Sequence, residues 1–170
     1  AASSSLVEVN EMLREVADLN KAIRGAGGPI AAGDLADRRD TLIRDLAEKV
    51  GVTAELTGDG MATVFLGGHA VVSGIEARDI AYDDSSGTPQ IQVAVGGGFA
   101  VVTDATGGEL GGWLAAHEQV QGYMDDLDTF AADFLAAVNT QHGAGFDRIG
   151  NPGTDLYSAT AGSEALTLEF

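Results

Sequence analysis

One run of residues limits the folds open to this chain more than any other. Leu110, Trp113, His117, Val120, Met124, Leu127, Ala131, Phe134, Val138 and Gln141 recur at spacings of three and four without a break, and eight of the ten are apolar. Such spacing places them on one side of an α-helix, as a heptad seam. A helix over 109–142 has about 34 residues and spans roughly 50 Å at 1.5 Å rise per residue. Helices of that length draw their stability from packing, so this one needs a comparably long surface beside it.

Two shorter helices precede it. Val9, Met12, Val16, Leu19 and Ile23 repeat the 3-4 pattern, and Leu6, Leu13 and Ala17 add a second stripe, so the first helix (6–24) has more than one neighbour. Its register extends back through Ser5 to Ala2, the mark of a helix cut from a longer one. Gly25 ends it, because glycine accepts the left-handed conformation that closes helices. Asp34 is expected to cap the next helix at the positive end of its dipole. Leu35, Leu42, Ile43, Leu46 and Val50 form that helix's buried stripe and Gly51 stops it.

From Val52 to Thr103 the period falls to two. The segments "VTAEL", "ATVFL", "HAVVSG", "ARDIAY", "QIQVAV" and "FAVV" are short, rich in β-branched residues and separated by glycine- and aspartate-rich turns. Five or six antiparallel strands are expected. The fold class is therefore α+β: an elongated antiparallel helical bundle of two shorter helices and one long helix, with a small antiparallel β subdomain inserted. The expected divisions are 1–50 for the two helices, 51–106 for the β insertion, 107–145 for the long helix, and 146–170 as the lead-in to a further, truncated β-rich domain.

A chain of 170 residues can remove roughly 70% of its unfolded surface from water. Its formal net charge is −17, and seven of its nine basic residues lie in the first 49 positions. No lysine or arginine falls between Asp79 and Asp147. Phosphate backbones are bound by neutralising cations, so nucleic acid and anionic membrane are poor partners for such a surface. The absence of cysteine excludes disulfides, thiolate metal sites and a cysteine nucleophile. No apolar run approaches the roughly 20 residues of a membrane span, and "AASSSLVEVN" lacks the basic and apolar regions of a cleaved signal peptide.

Catalytic chemistry finds no foothold in the sequence. His69 follows a Gly-Gly turn, His117 lies on the heptad seam and His142 falls at a helix end. No two share metal-ligand spacing. The nucleophile elbow is absent, and "DDLD" at 125–128 lies mid-helix, where it cannot wrap a calcium ion. No enzyme, metal or cofactor is expected. The most charged stretch, "GDLADRRDTLIRDLAEKVGV", offers acid-to-base pairs at i, i+4: Asp34–Arg38, Asp40–Arg44 and Asp45–Lys49. Each supports a helix by about 0.2–0.5 kcal/mol, so a laced, solvated helix face is the plain reading. The alternative reading makes Asp37, Arg38, Arg39 and Arg44 contacts to a neighbouring helix or subunit.

Four segments carry a family resemblance in order: "VNEMLREVADLNKAIRG", "GDLADRRDTLIRDLAEKVGVTAEL", "DGMATVFLGGHAVVSG" and "GGELGGWLAAHEQVQGYMDDLDTFAADFLAAVNTQHGAGFD". The chain resembles the flagellar hook-associated protein family of the first hook–filament junction zone (FlgK family). The shared pattern is V-N-x-x-x-x-x-I-A-x-L-N, N-D-L-L-D-x-R-D-x-L, V-F-L-x-G-x-x-L-V-x-G, and G-G-E-L-G-G closing in V-N-x-x-H-x-x-G. It covers residues 7 to 147. Gly33 stands where the family has asparagine and Ala36 where it has leucine, and residues 75 to 103 carry little of the pattern.

The resemblance implies a structural subunit of the bacterial flagellum that acts by subunit packing. Similar proteins leave the cell through the flagellar export apparatus, self-associate as a ring, and join the hook protein to the filament through a second junction protein. The fragment itself is expected to be monomeric and extracellular in origin, with no nucleic acid, membrane or cofactor partner. The alternative is a helical binding module of another extracellular, tail- or adhesin-like protein, with residues 52–103 presenting a ligand face.

Overall fold

In the computed structural model, residues 2–27, 30, 32–103 and 107–157 are described. Helix α1 runs Ala2–Gly25 and α2 runs Gly33–Val50. Lys49 pairs with Glu8, and Arg38 with Glu15. Residues late in α2 thus meet residues early in α1, and the two helices are antiparallel. Gly51 closes α2 in the left-handed conformation, its N–H bonded to the Ala47 carbonyl. The start of α2 differs from expectation. The cap position is Ala32, without a side-chain cap bond, and Asp34 sits inside the first turn. There its carboxylate still faces the positive end of the helix.

Among the described residues seven strands follow, against the five or six expected, and they form two sheets. The first holds β1 (Thr53–Leu56), β2 (Ala62–Leu66), β3 (His69–Ser73) and β4 (Glu76–Ala77); the second holds β5 (Ile80–Asp83), β6 (Gln90–Val95) and β7 (Gly98–Val101). Both are antiparallel meanders in chain order. The segment "ARDIAY", expected as one strand, breaks at Arg78–Asp79 and gives its ends to different sheets. Positive φ at both Gly67–Gly68 and Gly96–Gly97 makes the two-residue hairpins whose twist matches their strands. Along β2 the inward residues alternate as the pleat requires: Ala62, Val64 and Leu66 are buried.

Helix α3 runs Gly108–Gly143. Two compact units divide the chain after Ala116. In the first, one core gathers Leu6, Val9, Leu13 and Val16 of α1, Leu46 and Val50 of α2, and Val64, Val72, Ile91 and Val93 of both sheets. Leu110 and Leu114 of α3 pack against it. The β insertion therefore shares its core with the helices instead of forming a layer of its own.

Two asparagines of α1 index that helix to the sheets. Asn20 is fully buried; its Nδ2 donates to the carbonyls of Ala62 (2.8 Å) and Gly74 (2.7 Å), and its Oδ1 accepts the Ala62 N–H at 2.9 Å. Asn10 does the same to one residue of the second sheet, giving to the Ile80 carbonyl at 2.9 Å and accepting its N–H at 2.8 Å. Ten residues separate them, roughly 15 Å along the helix. Arg14, between them, reaches Asp79 at 2.7 Å.

The neck of the insertion is closed by glycine. A Cβ on Gly51 would lie 2.5 Å from the backbone of Gly107, and one on Gly108 2.7 Å from the amide nitrogens of Val50 and Gly51. Exit from α2 and start of α3 meet backbone to backbone.

Candidate subunit-packing surface

In the second unit, α3 carries its large apolar side chains into solvent. Val120, Tyr123, Met124, Leu127, Phe130 and Phe134 are 52 to 67% exposed. At 3.6 residues per turn they share an arc roughly 120° wide. Phe130 and Phe134 stack at 6.4 Å. The acids Glu118, Asp125 and Asp133 fall on the other side of the helix by the same arithmetic. An exposed apolar stripe along one helix face is a candidate contact surface.

The seam read from the sequence accordingly has three parts. Leu110 joins the first unit's core, and Trp113 stands edge-on to Tyr82 at 5.8 Å. From Val120 to Phe134 the seam is open. Toward the end of the helix Leu135 is buried and Val138 half-buried. Tyr123 and Phe130, outside the strict 3-4 register, belong to the open surface too. Their one-residue offset from Met124 and Ala131 was the available signal, since the stripe is wider than a two-position seam.

Helix α2 presents a different face. None of the three expected i, i+4 pairs is among the ion pairs of the described residues. The cations cross to other elements instead: Arg38 to Glu15 and Lys49 to Glu8 of α1. Arg39 is only 2% exposed, and its guanidinium donates to the Gly60 carbonyl at 2.7 Å and to Asp40 at 2.9 Å. It reaches across, but to the β1–β2 turn of its own chain. That turn is tightened by Asp59, which accepts from the Thr57 hydroxyl and the Met61 N–H. The Thr57 bond leads in holding the Asp59 carboxyl below the ordinary aspartate range. Arg38, Arg44 and Asp37 are exposed; the Asp37 carbonyl accepts the Thr41 hydroxyl at 2.9 Å.

Sites for chemistry do not assemble from these residues. Among the described residues no group of three or more His, Asp or Glu could hold a metal ion, and no helix is long and apolar enough to cross a membrane. His69 opens β3, His117 lies within α3, and the His142 Nδ1–H donates to the Thr154 carbonyl at 2.6 Å. A cavity of about 220 Å³ lies among Leu6, Val9, Leu110 and Trp113, with Lys49 and Glu109 beside it. Its lining is mainly apolar side chain, suited to packing.

Comparison with known proteins agrees over nearly the whole chain. The profile of the flagellar hook-associated protein FlgK helical domain matches residues 1–157. Flagellar hook-associated protein 1 of Salmonella typhimurium is 31% identical over 174 aligned positions, covering 93% of this chain and 31% of its own length. The protein of that name from Escherichia coli strain K12 is 31% identical over 169 positions, with the same coverage. A solved structure of the flagellar hook junction protein FlgK from Burkholderia pseudomallei superposes with a TM-score of 0.75 at 27% identity, covering 93% of this chain and 30% of that one. The chain thus spans about a third of the length of the relatives it matches.

Proposed function

Because the chain belongs to the FlgK family of flagellar hook-associated proteins, we propose that it serves as a structural part of the bacterial flagellum, in a subunit that joins hook to filament. The single observation that carries this reading beyond the family is the open apolar stripe from Val120 to Phe134. An adaptor works by surfaces that stay uncovered until neighbours arrive, and this stripe is such a surface. The partners are hook protein on one side, a second junction protein on the other, and further copies of the subunit in a ring. The location is extracellular, on the flagellum, reached by flagellar export. No catalysis enters the reading.

Cells lacking the full-length protein are expected to lose their filaments at the hook, and its return to restore them; filaments that stay attached without it would sink the proposal. The exposed cations of α2 give a finer test. In the full-length protein, Arg38→Glu with Arg44→Glu is expected to impair assembly while helical circular dichroism is kept, since exposed ion pairs contribute about 0–1 kcal/mol each. Loss of both together would place these arginines in an internal role, and unimpaired assembly would remove α2 from the interface.

A further inference from the structure

The segment after α3 is turn-rich in sequence and is expected as the lead-in to a further domain, and its backbone is bound at both arms. Asn139, on the last turns of α3, donates from Nδ2 to the Tyr157 carbonyl at 2.7 Å. Its Oδ1 accepts the N–H groups of Leu156 at 2.9 Å and Tyr157 at 3.1 Å. One turn on, His142 Nδ1–H donates to the Thr154 carbonyl. Between these anchors, the Gly153 N–H meets the Gly145 carbonyl at 2.9 Å, and Phe146 bridges Pro152. The tip is tied by Asp147, whose carboxylate accepts from the backbones of Ile149 and Asn151 and from the Asn151 side chain at 2.8 to 2.9 Å. Those bonds, the Asn151 N–H first, hold its carboxyl below the ordinary aspartate range. A Cβ at Gly153 would stand 2.1 Å from the His142 carbonyl oxygen, so the returning arm lies directly on the helix end.

We infer that residues 144–157 form a locked elbow, a joint that fixes the direction in which the backbone leaves α3 at Tyr157. A flexible linker leaves its peptide groups to water and crosses few contacts. Here a side-chain amide bonds two successive residues of the returning arm, and an imidazole fixes a third. Asn139, His142 and Gly145 are three positions of the V-N-x-x-H-x-x-G pattern. The elbow gives that spacing a mechanical meaning: two side-chain hooks one turn apart, and a glycine where the arm folds back. In a subunit that carries load, such a joint passes torsion along the chain where a linker would absorb it. The joint is a property of the folded chain and does not depend on what the full-length protein assembles with.

The test uses full-length protein with nitroxide labels on Asp133→Cys and Asp155→Cys, any other cysteine being replaced by serine. A narrow distance distribution between the labels is expected. Asn139→Ala with His142→Ala is expected to broaden it and to speed amide exchange at Leu156 and Tyr157 at least about tenfold, leaving the amide of Leu114 unchanged. His142→Ala alone keeps all three Asn139 bonds and is expected to retain most of the protection at Leu156 and Tyr157. A broad distribution in the unsubstituted protein, or no change in the double variant, overturns the elbow. Should the double variant also unprotect Leu114, His142→Ala alone decides: protection kept at Leu156 and Tyr157 supports the elbow, and loss refutes it.

Discussion

Asn20 shows how much a single side chain can settle. It is fully buried, and all three of its hydrogen bonds go to backbone groups of other elements. Truncation would strand the Ala62 N–H and the carbonyls of Ala62 and Gly74 away from water, and a buried polar group left unpaired costs about 1–3 kcal/mol. Asn20→Ala is therefore expected to lower the unfolding free energy by about 3 kcal/mol in a denaturant titration, and Asn10→Ala, at a half-buried site, by about 1–2 kcal/mol. A loss under about 0.5 kcal/mol for Asn20→Ala would mean that the bonds do not index α1 to the sheets. The sequence displays both asparagines within the family pattern V-N…L-N, but a polar residue in an apolar stripe does not disclose its partners. Those lie 42 to 70 residues away. The same limit applies to Arg39. Its neighbours in sequence suggested a laced surface, whereas a carbonyl 21 residues on made it a buried donor.

Elements were legible wherever local chemistry decides them and obscure where distant packing does. Heptad spacing and terminal glycines mark the three helices to within a few residues, because helix ends and stripes are local properties. The strand segments were legible as period-two runs, yet their division into two sheets was not. At the break, Asn10 and Arg14 of α1 hold Ile80 and Asp79, partners that lie 65 to 70 residues away and leave no local mark. The motif G-G-E-L-G-G sorts the same way. In sequence its four glycines look alike. In the structure Gly108 has φ +66 and would drive a Cβ to 2.7 Å from the Val50 amide, whereas Gly112 has open space inside the helix. Gly108→Ala is expected to cost at least about 2 kcal/mol, combining left-handed strain with overpacking. Gly112→Ala is expected to add roughly 0.5–1 kcal/mol, the helix propensity of alanine over glycine. Thermal melts of the two variants should therefore move in opposite directions. Equal shifts would show that the neck between α2 and α3 is looser than its contacts imply.

At the scale of the whole molecule, apolar faces on two helices have opposite fates. Leu13 and Val16, one from each apolar stripe of α1, are fully buried; the large apolar residues of α3 from Val120 to Phe134 are open to water. Sequence periodicity cannot separate the two, because it reports that a face is apolar and not what covers it. Substitution can. Leu13→Ser removes a buried side chain and introduces a hydroxyl, so it should destabilise the chain by several kcal/mol, on the order of 3–5. Leu127→Ser with Phe130→Ser alters exposed positions, where changes stay within about 0.5 kcal/mol of neutral, apart from a small loss of helix propensity. The 170-residue chain carrying the double change should then melt within a few degrees of the parent, with its helical circular dichroism retained. If the proposed function holds, the full-length protein carrying it should fold and be exported, yet fail to hold filaments on hooks. Filament attachment at the parental level would show that the stripe takes no part in assembly. A collapse of the isolated chain would show instead that the stripe is a core position of the chain itself. Only retained folding together with lost attachment assigns Val120 to Phe134 to the junction.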